Sequence, residues 1–297
     1  MTMTIDLDTL LGWQFPVIEQ SYDERDAILY ALGVGLGTDP TDERQLRFLY
    51  EEGMVAFPTL ALVLGHPGPW YSDPATGIDW IRVVHGEQDL RIHQPLRPRD
   101  DIVCHTRVTD VIDKGPGRPA LVYWERRVSR RDTGEPLCTL SSTLVCRNDG
   151  GFGGPPGPAR PRAAVPDRPA TTWCDLPTSP RAGLIYRLSG DRNPLHVDPR
   201  VAREAGFERP ILHGLCTLGV AAHAILRSVL DYEAGRLVGL SGRFSAPMLP
   251  GETVRTHLWL EDGNVAFRCV SLDRDLTVID GGLAVLAGAA ETVGATA

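Results

Sequence analysis

The spacing of apolar residues in the second half of the chain predicts one long helix followed by a series of strands. Residues 213–230 carry large apolar side chains at helical intervals, with small residues between them that would let a sheet pack closely. The large residues are Leu215, Leu218, Ile225, Leu226 and Val229, and the small ones are Gly219, Ala221, Ala222 and Ala224. Strands are predicted at 236–246, 253–261, 265–272 and 276–288, with turn residues at 261–264 and 280–282. A helix followed by consecutive strands is typical of an antiparallel sheet wrapped around a helix, which is an α+β layout.

A shorter helix is predicted just before the long one. Asp198 is a good N-cap residue, and Pro199 suits the first helical turn. Gly206 is expected to end this helix, since glycine readily adopts the left-handed conformation that follows a helix.

The two halves of the chain carry matching landmarks in the same order. A shift of 156 residues aligns LYALGVG (29–35) with IYRLSGD (185–191), and MVAFPTLALVL (54–64) with PILHGLCTLGV (210–220). A shift of 152 aligns QPLRPRDDIV (94–103) with APMLPGETVR (246–255). We therefore predict a duplicated fold in which each half contains a short helix, a long apolar helix and several strands. Two such copies side by side would place both long helices on one continuous sheet.

A stretch rich in glycine and proline separates the halves. Residues 149–169 read DGGFGGPPGPARPRAAVPDRP, a composition that predicts a loop and an extended linker. We set the boundaries at 1–149, 150–170 and 171–297. The glycines at 150–154 lack the spacing of a P-loop. Bare amides there, those of Gly151 and Gly153 among them, are candidates to contact an anionic ligand.

Composition narrows the class of protein. The chain has 297 residues, 42% of them hydrophobic, 23% charged, and a net charge of −8, which is ordinary for a globular protein. The negative charge disfavours nucleic-acid binding. No signal peptide and no apolar run long enough for a membrane span are evident, and the six cysteines have no CxxC spacing. We expect a cytoplasmic protein with free thiols.

Candidate chemistry lies in SGDRNPLHVD (189–198), just before the long helix. Pro194 stiffens the turn between Asp191 and His196, so that both side chains could meet at one water and exchange protons with it. Asn193 could orient them by hydrogen bonding. Gly214 stands where the helix begins, and a ligand oxygen could approach its amide closely. An acid–base pair beside an oxyanion donor suits the addition of water next to a polarised carbonyl.

Two other interpretations of this segment stay open. Asn-Pro and Asp-Pro are common in turns, so the segment could be only a loop and a helix cap. His196 and His213 with a carboxylate could also form a metal-binding triad, although no second ligand pattern such as HExxH accompanies them. The remaining histidines are expected to be structural or on the surface: His66, His85, His93, His105, His223 and His257.

The first half lacks the corresponding groups. Gly35 aligns with Asp191, and Pro58, which has no N–H, aligns with Gly214. No histidine stands where His196 would require one. The first half is therefore interpreted as a degenerate copy that shapes a pocket, with one site per chain.

At these residues the chain resembles a known family. YRLSGDRNPLHVDP followed by AGFERPILHGLCTLG resembles the signature of MaoC-like (R)-specific enoyl-CoA hydratases. HGEQDLRIHQPL (85–96), DVIDKGPG (110–117), GGFGG (150–154) and FSAPMLPGET (244–253) resemble further landmarks of this group, which includes the hydratase domain of multifunctional β-oxidation enzymes. The resemblance covers nearly the whole chain. It implies a double hotdog fold, with two long central helices wrapped by a continuous antiparallel β-sheet.

The resemblance also implies an activity and roles for individual residues. The expected reaction is the reversible hydration of trans-2-enoyl-CoA to (R)-3-hydroxyacyl-CoA, in a homodimer, without a metal or other cofactor. Asp191 and His196 would hold the water, Asn193 would orient them, and the Gly214 amide would bind the thioester oxygen. Tyr186, Asp198 and His213 match positions that support the pocket, and Gly151, Gly153 and Arg243 are candidates to hold CoA. Alternatives are an acyl-CoA thioesterase and a non-catalytic acyl-CoA-binding protein.

Overall fold

The first half of the chain supplies five strands and three short helices. The structure is a computed structural model that describes residues 4–158 and 163–288. In chain order the elements of the first half are α1 (Leu7–Leu11), β1 (Ile18–Tyr22), α2 (Glu24–Gly33), α3 (Glu43–Leu46), β2 (Val83–Ile92), β3 (Asp100–Asp113), β4 (Ala120–Arg130) and β5 (Pro136–Cys146). Short 3-10 turns, among them Pro58–Leu62, lie between α3 and β2.

The second half supplies five more strands and the long helix. Its elements are β6 (Thr172–Pro177), α4 (Ala182–Tyr186), α5 (Pro199–Glu204), α6 (Gly214–Ser228), β7 (Leu237–Phe244), β8 (Thr253–Glu261), β9 (Asn264–Ser271) and β10 (Leu276–Leu286). The predicted helices and four strands of this half are confirmed. The turn expected at 280–282 is wrong: these residues lie inside β10, where the pairing register shifts and a bulge absorbs the two glycines.

All ten strands form one antiparallel sheet in the order β1-β3-β4-β5-β2-β7-β10-β9-β8-β6. Read outward from the centre, each half has the same sequence of strands, since β2 matches β7, β5 matches β10 and β1 matches β6. β2 pairs with β7, and Asp89 lies opposite Ser241, the residue 152 positions later. Two equivalent positions facing each other indicate that a pseudo-twofold axis passes between them.

The long helix α6 packs against one face of this sheet. Its contacts include β6, β7 and β8. Leu218, Ile225 and Leu226 are fully buried, and each such side chain contributes about 1.5–3 kcal/mol relative to exposure. Gly219 has a different role from the predicted one. A Cβ there would come within 2.5 Å of Val34 and 3.0 Å of the Tyr30 hydroxyl, so this glycine admits the first half against α6 rather than a sheet.

The second long helix that the sequence predicted is absent from residues 54–64, which the structure describes. This segment forms only a 3-10 turn at Pro58–Leu62. The reason lies in GHPGPW (65–70), where Gly65 and Gly68 adopt positive φ of 59° and 70° and two prolines follow the turn. The Arg126 guanidinium donates to the Leu62 carbonyl oxygen at 2.8 Å and satisfies the end of the shortened turn. Among the described residues, one long helix therefore packs on a sheet whose two equivalent halves could each hold one.

The core is continuous across both halves. Tyr30 and Tyr186, which are equivalent positions, are both fully buried with ring centroids 5.8 Å apart. The six cysteines are buried free thiols. Part of the predicted linker, residues 159–162, lies outside the described residues. No helix that the structure describes is both long enough and apolar enough to cross a membrane.

Candidate active site

The loop between α4 and α5 is shaped by its own polar side chains. The Asn193 amide donates to the Asp191 carboxylate at 3.1 Å, and the Leu195 amide donates to the Asn193 side-chain oxygen at 3.0 Å. Pro194 opens a single 3-10 turn that ends at His196. These bonds fold Asp191 and His196 onto the same side of the loop, as the sequence predicted. Asn193 acts here by capping the turn, so it orients the pair through the backbone.

Two histidines lie beside Asp191 with their ring nitrogens assigned by backbone contacts. Nδ1 of His196 lies 2.9 Å from the Ile211 carbonyl oxygen and must donate to it, which leaves Nε2 as an acceptor. Nε2 of His213 donates in the same way to the Asp191 carbonyl oxygen at 3.2 Å. One ligand atom of each of Asp191, His196 and His213 lies within 4.8 Å of the other two. The sequence motif therefore converges in space.

The geometry of these rings does not suit a shared metal ion. The His196 and His213 rings are stacked with centroids 3.7 Å apart and planes 28° apart. The lone pair of an imidazole nitrogen points within the ring plane. An ion between two nearly parallel rings would lie outside both planes. The stack instead fits two neutral imidazoles that pack against each other.

Burial and charge set the protonation of the site. Burial raises the pKa of Asp191, but His66, His213, His196 and the Asn193 amide together outweigh it, so this pKa lies below its ordinary value. Burial lowers the pKa of His196, and only part of the shift is offset by Asp191 and the Ile211 carbonyl. Burial and the neighbouring His196 lower the pKa of His213 to about 3. At neutral pH the site thus holds a carboxylate and neutral imidazoles.

The N-terminus of α6 lies beside Asp191 and His196. His213 precedes the helix and does not cap it with its side chain, so the first amides keep their positive character toward the cavity. Gly214 and Leu215 both line the cavity. A Cβ on residue 214 would lie 3.1 Å from the Phe244 ring, which explains why glycine stands there. The Gly214 amide lies where the sequence expected an oxyanion donor.

The cavity has a volume of about 310 Å³ and its second wall comes from the first half of the chain. The residues of that wall include His66, Tyr71, His85, Trp124, Leu144 and Arg147. His66 and His85, which were expected from the sequence to be structural or on the surface, both line this cavity. His66 lies two residues after Leu64, where the apolar run ends, and the helix-breaking residues around it were the available signal.

Two predicted supporting residues stand outside the cavity wall. Asp198 is the N-cap of α5, where its side chain accepts from the Arg200 amide at 2.8 Å and pairs with the Arg200 guanidinium. This confirms the cap that the sequence predicted, and it turns the carboxylate away from the pair. Tyr186 is fully buried, and its ring centroid lies 5.0 Å from that of His213. The Tyr186 ring therefore packs against the His213 ring and supports it.

The residues expected to hold CoA are placed differently from the prediction. The amides of Gly151 and Gly153 donate to the Asp113 carboxylate at 2.7 and 2.9 Å, so an internal anion already occupies them. Arg243 lies on the outer face of the sheet, because its neighbour Gly242 faces Leu218 of α6 and side chains alternate along a strand. The exposed cation that lines the cavity is Arg147, which the sequence analysis did not single out.

Comparison with known proteins identifies the family of this chain. The MFE-2 hydratase 2 N-terminal domain matches residues 20–148, and the MaoC like domain matches residues 161–281. Enoyl-CoA hydratase ChsH3 of Mycobacterium tuberculosis is 37% identical over 286 residues, which cover 95% of this chain and 98% of the relative. The chain belongs to the MaoC-like hydratase family.

Solved structures share the fold of this chain. A MaoC-like dehydratase from Phytophthora capsici superposes with a TM-score of 0.80 at 31% identity, covering 95% of this chain and 98% of that one. A conserved protein of Mycobacterium tuberculosis described as a double hotdog has a TM-score of 0.55 at 18% identity, over 92% of this chain and 96% of that one. The second likeness concerns the fold alone. The predicted double hotdog fold is thereby confirmed.

Proposed function

We propose that this MaoC-like chain hydrates trans-2-enoyl-CoA thioesters reversibly to (R)-3-hydroxyacyl-CoA. The observation that carries the proposal is the pairing of two hydrogen-bond acceptors beside a helix N-terminus. The carboxylate of Asp191 and Nε2 of His196 both accept, because one is ionised and the other has its proton on Nδ1. A molecule held by both must offer two hydrogens, and water does.

The steps follow from the positions of these groups. The thioester oxygen accepts from the Gly214 amide, which draws electrons toward the carbonyl and makes C3 electrophilic. The water oxygen then forms a bond to C3 while one of its protons passes to the Asp191–His196 pair. The pair returns a proton to C2 from the same side, and the C2–C3 double bond becomes a single bond. One oxyanion donor contributes about 2.7–4 kcal/mol to such a barrier.

The lining of the cavity suits the remainder of the substrate, which is the acyl chain and the CoA group. Phe207, Leu215, Phe244, Met248 and Val278 line it from the second half, which suits an acyl chain. Arg147 at the cavity wall suits the phosphates of CoA, since a guanidinium pairs well with phosphate oxygens.

The test is incubation of the purified chain with crotonyl-CoA. Loss of the enoyl absorbance without release of free thiol, together with an (R)-3-hydroxyl product by chiral analysis, supports the proposal. Thiol release would instead indicate a thioesterase. Asp191→Asn and His196→Gln should each lower kcat by at least about 100-fold, because each removes one proton acceptor.

Asp198→Asn is the matched control for Asp191→Asn. It makes the same chemical change seven residues away, and asparagine remains a good N-cap. We expect near-normal turnover from this control. Unchanged turnover in the Asp191 and His196 variants, with ligand binding retained, would point to a non-catalytic acyl-CoA-binding protein.

Three further features belong to the proposal. The reaction as written uses only side chains and a backbone amide, so we propose that no metal or other cofactor takes part. A homodimer and a cytoplasmic location are retained as predictions. Gel filtration with light scattering and localisation of a tagged chain would check them.

A further inference from the structure

A second apolar cluster lies behind the first-half wall of the cavity. It is separate from the main core and includes residues of α1, the turn at Trp70, β2, β3, β4 and β5. Two of its members, Trp124 and Leu144, also line the cavity. The packing of this cluster therefore sets the position of that wall.

Trp70 lies at the centre of an aromatic group within this cluster. Its ring contacts those of Trp13 and Phe15, with centroids 5.9 and 5.0 Å away. It also contacts the rings of Tyr71 and Trp124 edge to face, with centroids 6.1 and 6.5 Å away. These are the distances of favourable aromatic pairs. Tyr71 and Trp124 line the cavity, whereas Trp70 lies behind them.

The N-terminal segment keeps the Trp70 turn in place. Trp13 and Phe15 belong to this segment, and both are partly buried. A Cβ on Gly77 would come within 2.3 Å of the Thr4 carbonyl oxygen, so the backbone that follows the turn packs directly on the same segment. Trp70 is thus held between the N-terminal segment and two residues of the cavity wall.

Packing alone fixes the position of the Trp70 ring. Trp70 begins a 3-10 turn, Trp70–Ser72, in which the Ser72 amide donates to the Pro69 carbonyl oxygen at 2.8 Å. The residue is 9% exposed, and its indole nitrogen has no hydrogen-bond partner among the described residues. Because only volume holds the ring, a smaller side chain at this position leaves space that Tyr71 and Trp124 can enter.

The part of the cavity that Trp70 supports is enclosed. Trp124 and Leu144 are 6% and 4% exposed, whereas Arg147 on the same wall is exposed. CoA is too large for a cavity of about 310 Å³ and must extend into solvent, so its path leads past exposed residues. The enclosed part of the cavity is left for the acyl group.

We propose that Trp70 determines the acyl specificity of the site, as a positioning residue that holds Tyr71 and Trp124 in the cavity wall. This inference rests on the proposed function and adds to it the residue that limits the size of the acyl group. Trp70 acts through the two rings in front of it, because it is not itself among the residues that line the cavity.

Replacement of Trp70 separates this role from general packing. A residue that only stabilises the fold would affect all acyl groups equally, whereas Trp70→Leu should favour bulky ones. The substrates are crotonyl-CoA and cinnamoyl-CoA, which has a phenyl ring in place of the crotonyl methyl group. We expect the ratio of kcat/KM for cinnamoyl-CoA to that for crotonyl-CoA to rise at least about tenfold, since one methylene in an apolar pocket is worth about 10- to 200-fold in discrimination. Trp70→Phe keeps a ring, so the same ratio should rise less, and this variant serves as the test if Trp70→Leu does not fold.

Two controls define which part of the substrate the wall contacts. Trp173→Leu makes the same change at an exposed tryptophan on β6 and should leave the ratio unchanged. The same two acyl groups presented as N-acetylcysteamine thioesters should show the same rise in Trp70→Leu, because the acyl group is common to both series. A rise confined to the CoA thioesters would show that the wall contacts the CoA group, and it would overturn the proposal.

A binding measurement tests Trp70 without turnover. Titration calorimetry gives the Kd values of the saturated analogues butyryl-CoA and 3-phenylpropionyl-CoA, and their ratio should shift toward tighter binding of 3-phenylpropionyl-CoA in Trp70→Leu. This result is independent of whether the chain proves to be a hydratase. An unchanged ratio of Kd values in a folded variant of Trp70, or an unchanged ratio of kcat/KM where turnover is seen, would overturn the proposal.

Discussion

Replacement of Gly214 by proline isolates the contribution of one backbone N–H. Gly214 is the first residue of α6, and proline is well accepted at this position because its missing N–H has no partner within the helix. The preceding residue must also be extended, and His213 already has φ −57° and ψ 132°, which a following proline permits. The variant should therefore fold and differ from the parent mainly at the oxyanion donor.

The matched control for this experiment is Gly214→Ala. Both variants add a Cβ that meets the Phe244 ring at 3.1 Å, but alanine keeps the N–H. The difference between the two variants therefore reports the donor, with the crowding of Phe244 common to both. Loss of one oxyanion donor costs about 100- to 1,000-fold in kcat, or about 2.7–4 kcal/mol. We expect Gly214→Pro to fall below Gly214→Ala by this factor.

The assay is the steady-state hydration of crotonyl-CoA, with binding of the saturated analogue butyryl-CoA measured separately. The proline ring also places a carbon where the amide hydrogen was, so the binding measurement shows how much of the loss is steric. Equal binding with a reduced kcat identifies the donor. A Gly214→Pro enzyme that turns over within about tenfold of Gly214→Ala would refute the assignment of the oxyanion site.

Three other predictions address protonation, CoA binding and the glycine loop. First, the pKa values of Asp191 and His196 both lie below their ordinary values, so protonation should abolish kcat/KM only below about pH 6.5. An acidic limb above that pH in the kcat/KM profile would contradict the assignment of these residues as proton acceptors. Second, Arg147→Ala should raise KM for crotonyl-CoA about two- to fivefold but leave KM for the phosphate-free N-acetylcysteamine thioester unchanged. Arg243→Ala should change KM for neither substrate. Third, Asp113→Asn should lower the free energy of unfolding in urea by about 1–3 kcal/mol, because the charge is lost and one of the two oxygens that accept from Gly151 and Gly153 becomes an NH₂ donor. The exposed Asp132→Asn should stay within about 0.5 kcal/mol.

The loop that carries Asp191 and His196 could be predicted because its contacts are local. Asp191, Asn193 and His196 lie within six residues, and their convergence depends on turn and cap bonds that short polar side chains make with nearby amides. Gly214 joins them because helix α6 must begin close to the point where its N-cap, His213, reaches the Asp191 carbonyl. None of these contacts spans more than about two dozen residues of chain, so sequence spacing carried most of the information.

The opposite wall could not be predicted because it depends on distant pairing. His66 lines the same cavity as Asp191 only because the first half packs against α6, more than a hundred residues away in sequence. The prediction of a second long helix failed for a related reason. An apolar run such as 54–64 satisfies a helical pattern, and only the glycines and prolines at 65–69 prevent its extension. The apolar periodicity predicted correctly that this segment is buried, but it did not predict the length of its helix.

The glycine loop shows a correct chemical inference with the wrong partner. The bare amides of Gly151 and Gly153 do bind an anion, as the sequence predicted, but the anion is the carboxylate of Asp113. Asp113 lies at the end of β3, 38 residues before Gly151, and reaches the loop because Asp113 also bonds the Pro155 carbonyl through its amide. Sequence alone does not indicate whether an anion site is filled from within the chain.

The unequal halves explain why the two symmetry-related cavities differ in size. The pseudo-twofold axis should give two equal cavities, and a second pocket does lie at the equivalent place, where Pro58 and Ile92 stand for Gly214 and Phe244. Its volume is about 70 Å³, against about 310 Å³ for the candidate active site. Because the first helix is shortened, residues 65–71 lie at the active-site cavity instead of the smaller pocket. They form part of the active-site wall. A catalytic half separated from its partner would therefore keep Asp191 and His196 but lose the surface that encloses the substrate.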